Sequence, residues 1–421
     1  MLLQTLCYDT FMKTLGIIAE YNPLHNGHIY QMEKCREMAQ ADNIVVIMSG
    51  NFTQRGEAAV LDKWTRARLA VENGADLVLE LPFAYAVNSA EYFARGGVRI
   101  LNALGCVTHL GFGAEAESLE QLQKIASETA EESPEFQDLM QQYLAEGVTY
   151  AKAREQATTE LLGEEAAEHV QTPNNILAIE YLKQLHLCGS EIEPVMVTRK
   201  GAGYHSEVAE GGFASATAIR NTLDESERKA YVPENVDKAL AAALSHENYF
   251  HLIQSKILGS TPEQLAQVFS MSEGLENRML DQIRRSGTLD EFVDNVKSKR
   301  YPETRIRRIL CQMLMGLTDF EDEFYVRLLA ASSKGTALLK KIKKESDIQI
   351  ITNINKEEHL PELIKYDILA SDIYNVVTKD FFVLLVRTTS FQKSNRRLPF
   401  RCRNFEVFIG LTTSIWSITL S

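Results

Sequence analysis

Residues 14–28 read TLGIIAEYNPLHNGH. Thr14–Glu20 is an apolar run of strand length, rich in β-branched residues. His25-Asn26-Gly27-His28 then opens a stretch with helical periodicity over His28–Ala39. His25 and His28 stand three residues apart, so on a first helical turn they share a face. Gly27 between them carries no side chain, which lets a ligand approach the backbone closely. The helix start adds unpaired amide donors and a partial positive charge. Two imidazoles at such a terminus form a cradle for a polyphosphate. As zinc ligands they lack a third partner at recognisable spacing, so no metal site is assigned. Nothing here resembles the lysine-containing glycine-rich phosphate loop.

The pattern repeats outward from this unit. Apolar runs at Ile44–Ser49, Leu77–Leu81, Val107–Phe112 and Pro194–Thr198 alternate with helical stretches at Lys63–Glu72, Ala90–Ala103 and from Ala116 to about Glu168. Strands alternating with helices predict an α/β fold, a doubly wound and mostly parallel sheet over residues 12–202. In such sheets ligands sit at the carboxyl ends of the strands. From Ser215 to Lys344 nearly everything reads as helix, so residues 203–375 are expected to form a mostly helical second domain. Within it stand Arg278, Arg284, Arg285, Lys297, Lys299, Arg300, Arg305, Arg307 and Arg308. Such a stretch is either a solvated helix face or a surface for phosphate backbones. Residues 376–421 lose helical periodicity and form an atypical tail, and Met12 is read as the natural start.

Composition narrows the class. The 421 residues carry a net charge of -13, which argues against non-specific coating of nucleic acid but leaves room for a local basic patch. The six cysteines are scattered without a CxxC pair, unlike a zinc ribbon or a disulfide framework. No secretory signal pattern opens the chain, and no apolar run is long and uninterrupted enough for a membrane span. A cytoplasmic enzyme is expected.

Seven motifs stand in order: GIIAEYNPLHNGH (Gly16–His28), MSGNFTQRGE (Met48–Glu57), DKWTRARLA (Asp62–Ala70), DLVLELP (Asp76–Pro82), LGFGAE (Leu110–Glu115), PNNILAIEY (Pro173–Tyr181) and SATAIR (Ser215–Arg220). The first contains a segment similar to the HxGH signature of the HIGH nucleotidyltransferase superfamily. Together the motifs resemble the bacterial tRNA(Met) cytidine acetate ligase family, from about Met12 to Tyr374. The resemblance implies ATP and acetate as substrates, acetyl-adenylate as intermediate, and acetylation of the wobble cytidine of elongator tRNA(Met) to N(4)-acetylcytidine. Magnesium is the expected companion of ATP, held mainly by phosphates.

The resemblance also implies site residues. His25 and His28 are the expected catalytic pair. The nucleotide wrap runs through Ile18, Ala19, Glu20, Tyr21, Asn22, Pro23 and Leu24 into His25, Asn26, Gly27 and His28, then Ile29, Tyr30 and Gln31. Gly113 matches an adenosine-side glycine and is otherwise a turn residue. Asn174 or Asn175 matches a nucleotide-contacting asparagine and is otherwise a helix cap. Arg199 and Lys200 are placed to meet ATP or its leaving group, or else are surface charges. Ser215, Thr217 and Arg220 resemble an element that closes on phosphates, with helix capping as the bland reading. Gln54, Arg55 and Gly56 are placed at the site rim, where Arg55 guides either acetate or RNA; Trp64 is read as core packing. Two other functions fit less well: an adenylyltransferase acting on a small phosphate-bearing acceptor, which needs no second domain of this size, and a non-catalytic RNA-binding protein, which needs no intact cradle.

Overall fold

The computed structural model describes residues 12–130, 133–148, 150–199, 213–221, 224–243, 246, 248–272 and 274–378. Seven strands form one sheet: β1 (Thr14–Ala19), β2 (Asn43–Ser49), β3 (Leu77–Leu81), β4 (His109–Ala114), β5 (Glu193–Thr198), β6 (Tyr325–Ala331) and β7 (Gln349–Ile351). Their order is β5-β4-β1-β2-β3-β6-β7. The five strands read from the sequence are all present, within two residues at each end. They pair in parallel, with Thr14 opposite Asn43, Val45 opposite Leu77, Leu15 opposite His109 and His109 opposite Glu193.

β2 is buried along its whole length, which is why it reads as an unbroken apolar run. Its side chains serve two cores. Ile44, Val46 and Met48 join Leu15 and Ile17 beneath helices α1 (Asn26–Ala39) and α2 (Lys63–Glu72). Val45 and Ile47 join Ile18 on the opposite face, beneath the helices Ala90–Ala103 and Pro173–Leu187. The chain runs from β1 to β2 and β3 on one side, then returns to lay β4 on the other side of β1. That reversal opens a crevice at the carboxyl ends of β1 and β4, where doubly wound sheets bind ligands.

The helical reading of Ser215–Lys344 holds through the helix Glu303–Met315 and fails at β6. Tyr325–Ala331 contains Leu and Ala that suit either state, so only its partner decides. It pairs antiparallel with β3, Leu77 opposite Ala331 and Glu80 opposite Arg327, and covers an edge that would otherwise expose backbone polar groups. β7 extends the sheet parallel to β6. The sheet therefore takes strands from both sides of residue 202.

A buried charge cluster accompanies this seam. Lys63 Nζ lies 2.5 Å from Glu80 Oε1, and Arg327 Nη1 lies 3.5 Å from Glu80 Oε2. Asp367, from the helix Ile364–Val377, accepts from Phe83 N at 2.7 Å and from the Tyr325 hydroxyl at 2.7 Å. Lys63, Glu80 and Asp367 are each at most 2% exposed, so each charge depends on the others. Trp64 packs at the rim of the α2 core, with the Lys63 ammonium 5.5 Å from its ring centroid. Lys63→Met is expected to lower unfolding free energy by about 3–5 kcal/mol, the typical result of leaving one buried charge unpaired. In a urea-denaturation double-mutant cycle, Lys63→Met with Glu80→Leu should lose clearly less than the sum of the single changes. Strict additivity would show that the two do not depend on each other.

Candidate active site

The carboxyl end of β1 turns sharply. Tyr21 adopts the left-handed conformation at φ 48°, the Asn22–Pro23 peptide is cis, and α1 begins at once. The turn is held from outside itself: Asn22 Oδ1 accepts from Val60 N at 2.8 Å, and Asn22 O accepts from the Arg220 guanidinium at 2.6 Å.

His25 is the N-cap of α1 and His28 its third residue. His25 Nδ1 accepts from Gly27 N at 3.1 Å, and His28 Nδ1 accepts from His25 N at 3.3 Å. This is a capping box built from imidazoles, where serine or threonine and glutamate are usual. The rings stack, 3.6 Å between centroids and 24° between planes. Gly27 leaves the His25 ring room, since a Cβ there would stand 3.0 Å from it, a tight contact. Its missing side chain thus makes room for an imidazole, which the sequence reading had assigned to a ligand's approach. Because each Nδ1 accepts a backbone N–H, a neutral ring carries its proton on Nε2. Burial pushes the His25 pKa down to about 3, with Arg199 and Arg220 adding to the shift. His28 is also held well below its ordinary value, by burial, by His25 and by Arg199. The helix start presents neutral donors on a positive background.

Both rings line a cavity of about 500 Å³ at the β1–β4 crevice. Of the expected nucleotide wrap, Ile18, Ala19, Glu20, Tyr21, Asn22, His25, His28 and Gln31 line it. Pro23 and Leu24 are buried in the turn, and Asn26 ties α1 to the helical segment through Tyr231 O at 2.9 Å and Ala230 O at 3.1 Å. Tyr30 packs on Phe213, 5.6 Å between ring centroids, and Ile29 is not among the lining residues.

The far side of the crevice separates the two asparagines. Asn175 is 2% exposed, and its Oδ1 accepts from Glu115 N at 2.9 Å and Ala116 N at 3.0 Å. Glu115 answers by accepting from Asn174 Nδ2 and, at 3.0 Å, from Asn175 N. Asn175 therefore clamps β4 to the helix Pro173–Leu187, while Asn174 lines the cavity with Gly113 and Arg199. A Cβ at Gly113 would come within 3.4 Å of Arg199 Cγ and Gln31 Oε1. Lys200 lies outside the described residues. Ser215, Thr217 and Arg220 line the cavity, and Ser215 Oγ also caps its helix by accepting from Ala218 N at 3.1 Å.

Sequence reasoning missed the apolar wall. Phe93, Phe112, Ile176, Leu177 and Tyr181 line the cavity. The PNNILAIEY motif held three of them, but helical periodicity alone cannot tell a core face from a cavity face. Gln54 and Arg55 reach the rim as expected, on a loop whose Gln54 N donates to Glu20 Oε1 at 2.6 Å. Burial raises the Glu20 pKa, and that hydrogen bond with Arg66, Arg220 and Arg55 opposes the rise. Among the described residues no group of three or more His, Cys, Asp or Glu side chains could hold a metal ion, and no helix is long and apolar enough to cross a membrane.

The family model for HIGH nucleotidyl transferases matches residues 12–383. The tRNA(Met) cytidine acetate ligase of Caldanaerobacter subterraneus subsp. tengcongensis is 39% identical over 391 residues, covering 88% of this chain and 97% of that one. The chain belongs to the tRNA(Met) cytidine acetate ligase family. Another member of this ligase family, from Clostridium novyi, is 38% identical over 87% of the chain. A crystal structure of Thermotoga maritima TmcAL without ligand superposes with a TM-score of 0.80 at 31% identity, covering 87% of this chain and 95% of that one. The same protein bound with alpha-thio ATP gives a TM-score of 0.79.

The buried imidazoles of this family member predict a pH dependence of stability. Their folded pKa values lie below the ordinary 6.5, so from pH 6.5 down toward the folded values the unfolded chain binds more protons. Stability is intact above pH 6.5 and is lost as pH falls through that window. His28→Gln keeps a capping side chain at that position but cannot titrate. Below pH 6.5, urea unfolding of wild type should lose stability more steeply than His28→Gln, by up to about 1.4 kcal/mol per pH unit. Parallel profiles would mean that His28 protonates freely in the fold.

Proposed function

We propose that this chain adenylates acetate with ATP and transfers the acetyl group to the wobble cytidine of elongator tRNA(Met). The observation that carries the reading is the imidazole-capped helix start opening into the β1–β4 crevice. Family membership supports it, together with a structural neighbour bound with an ATP analogue. An acetate oxygen attacks the α-phosphorus, the bond to the β,γ-phosphates breaks, and pyrophosphate leaves. The exocyclic amine of cytidine then attacks the acetyl carbon, AMP leaves, and the amine gives up one proton.

No protein nucleophile is needed, so catalysis rests on positioning and charge. In this reading the Nε2–H groups of His25 and His28 donate to phosphate oxygens, and Arg199 and Arg220 balance their charge. Asn174, Gly113 and the apolar wall of Phe112, Ile176 and Leu177 receive the adenosine end. Magnesium would arrive with the triphosphate, since among the described residues no group of three or more His, Cys, Asp or Glu side chains is gathered for it. Residues 12–202 carry most of this chemistry with Arg220 joining them from beyond residue 202, the rest of residues 203–375 faces the tRNA, and the reaction runs in the cytoplasm.

Incubation with ATP, acetate and elongator tRNA(Met), followed by mass spectrometry of the nucleosides, should yield N(4)-acetylcytidine. Omitting acetate should abolish it. His28→Ala should slow acetate-dependent ATP–pyrophosphate exchange by roughly 10²–10³, the range for a lost charge-stabilising donor. Full activity in that variant would remove the imidazole from the mechanism.

A further inference from the structure

The arginines of the basic stretch do not share one environment. Arg307 donates to Glu303 at 2.8 Å and to Asp290 at 2.6 Å, Arg285 pairs with Asp281 at 2.9 Å, and Lys297 pairs with Asp294 at 2.6 Å. Arg278 is taken up by the carbonyls of Asn295 and Lys297, and Arg305 lies over the Tyr301 ring at 4.6 Å. Arg308 differs. It lines the cavity, it is half-buried, and among the described residues no carboxylate pairs with it. Burial, with Arg305 beside it, pulls its pKa down to about 10. A guanidinium removed from water without a counter-charge is costly, and facing a cavity makes it a receptor for an anion.

Its place in the fold narrows the anion. Arg308 and Thr304 stand four residues apart on the helix Glu303–Met315, and both line the cavity. The loop Thr53–Glu57 meets this helix directly. Gly56, at φ 77°, comes so close that a Cβ would lie 2.3–2.4 Å from the Arg307–Arg308 backbone, and Gly56 O accepts from the Tyr249 hydroxyl at 3.1 Å. The other side of the loop is fastened to Glu20 through Gln54 N. The loop thus joins the β1 end to the helical wall, and Arg308 belongs to that wall. The ATP phosphates already have His25, His28, Arg199 and Arg220 in the reading above. The second substrate must present its base inside the cavity, which for a stacked nucleotide means flipping out and bringing its phosphodiester to the rim.

We infer that Arg308, with the Thr304 hydroxyl, grips a phosphodiester of the RNA strand beside the flipped-out acceptor nucleotide. The inference rests on the acetate ligase reading, and one experiment separates the two. Wild type, Arg308→Ala, Arg308→Lys and the paired-arginine control Arg307→Ala are assayed for tRNA acetylation at several salt concentrations. Acetate-dependent ATP–pyrophosphate exchange without tRNA is measured alongside. Arg308→Ala should raise KM for tRNA by about tenfold and lower the log–log salt slope by about one phosphate contact, roughly 0.7–0.9. Arg308→Lys should recover most of the slope, exchange should change less than twofold, and Arg307→Ala should behave as wild type. An unchanged slope in an Arg308→Ala protein that still exchanges pyrophosphate overturns the inference while the ligase reading stands. Loss of exchange alongside wild-type tRNA affinity also overturns it, and moves Arg308 to the acid or the nucleotide. No acetylation by wild type defeats the ligase reading and the inference with it.

Discussion

The site depends on how the strand ends are gathered, and one guanidinium does most of that. Arg66, on α2, is 1% exposed. It donates to the carbonyls of Glu20, Ser49, Gly50 and Leu61. Three of these lie where β1 and β2 run out. Arginine suits the task because its fork offers five donors and stays charged when buried. Glu20 is then held twice, by its carbonyl through Arg66 and by its carboxylate through Gln54 N. The turn that carries the imidazoles and the loop on the opposite wall are fixed to the same point.

The capping box has a chemical consequence. A glutamate at the third position would satisfy the same backbone donor, but it would set a negative charge at a helix start that otherwise suits an anion. Histidine closes the box through Nδ1 and leaves Nε2–H as a donor. The stacked rings, low pKa values and nearby Arg199 and Arg220 belong to one solution: a helix start that satisfies itself without repelling an anion. A polyanion there would remove part of what depresses the imidazole pKa values, so the electrostatics of this helix start suit an anion.

The seam between β3 and β6 gives the molecule its unity. The helical segment is enclosed by a chain that returns to the sheet, with Glu80, Arg327, Lys63 and Asp367 buried where it does so. The wall that carries Thr304 and Arg308 belongs to a segment held against the parallel strands by both packing and charge.

What the sequence by itself determined is local or periodic. β1, the turn and the start of α1 are specified within Thr14–His28, the parallel strands by unbroken apolar runs, and the histidine pair by spacing on one helical turn. Ordered motifs carried the family resemblance. What only the tertiary structure decided depends on segments far apart in the chain: β6 as a strand rather than a helix, and Asn174 in the cavity while Asn175 clamps β4. The same holds for Arg307 bound to carboxylates while Arg308 faces the cavity. In each case neighbouring residues have nearly the same local preferences, and their roles separate only when a distant element supplies or withholds a partner.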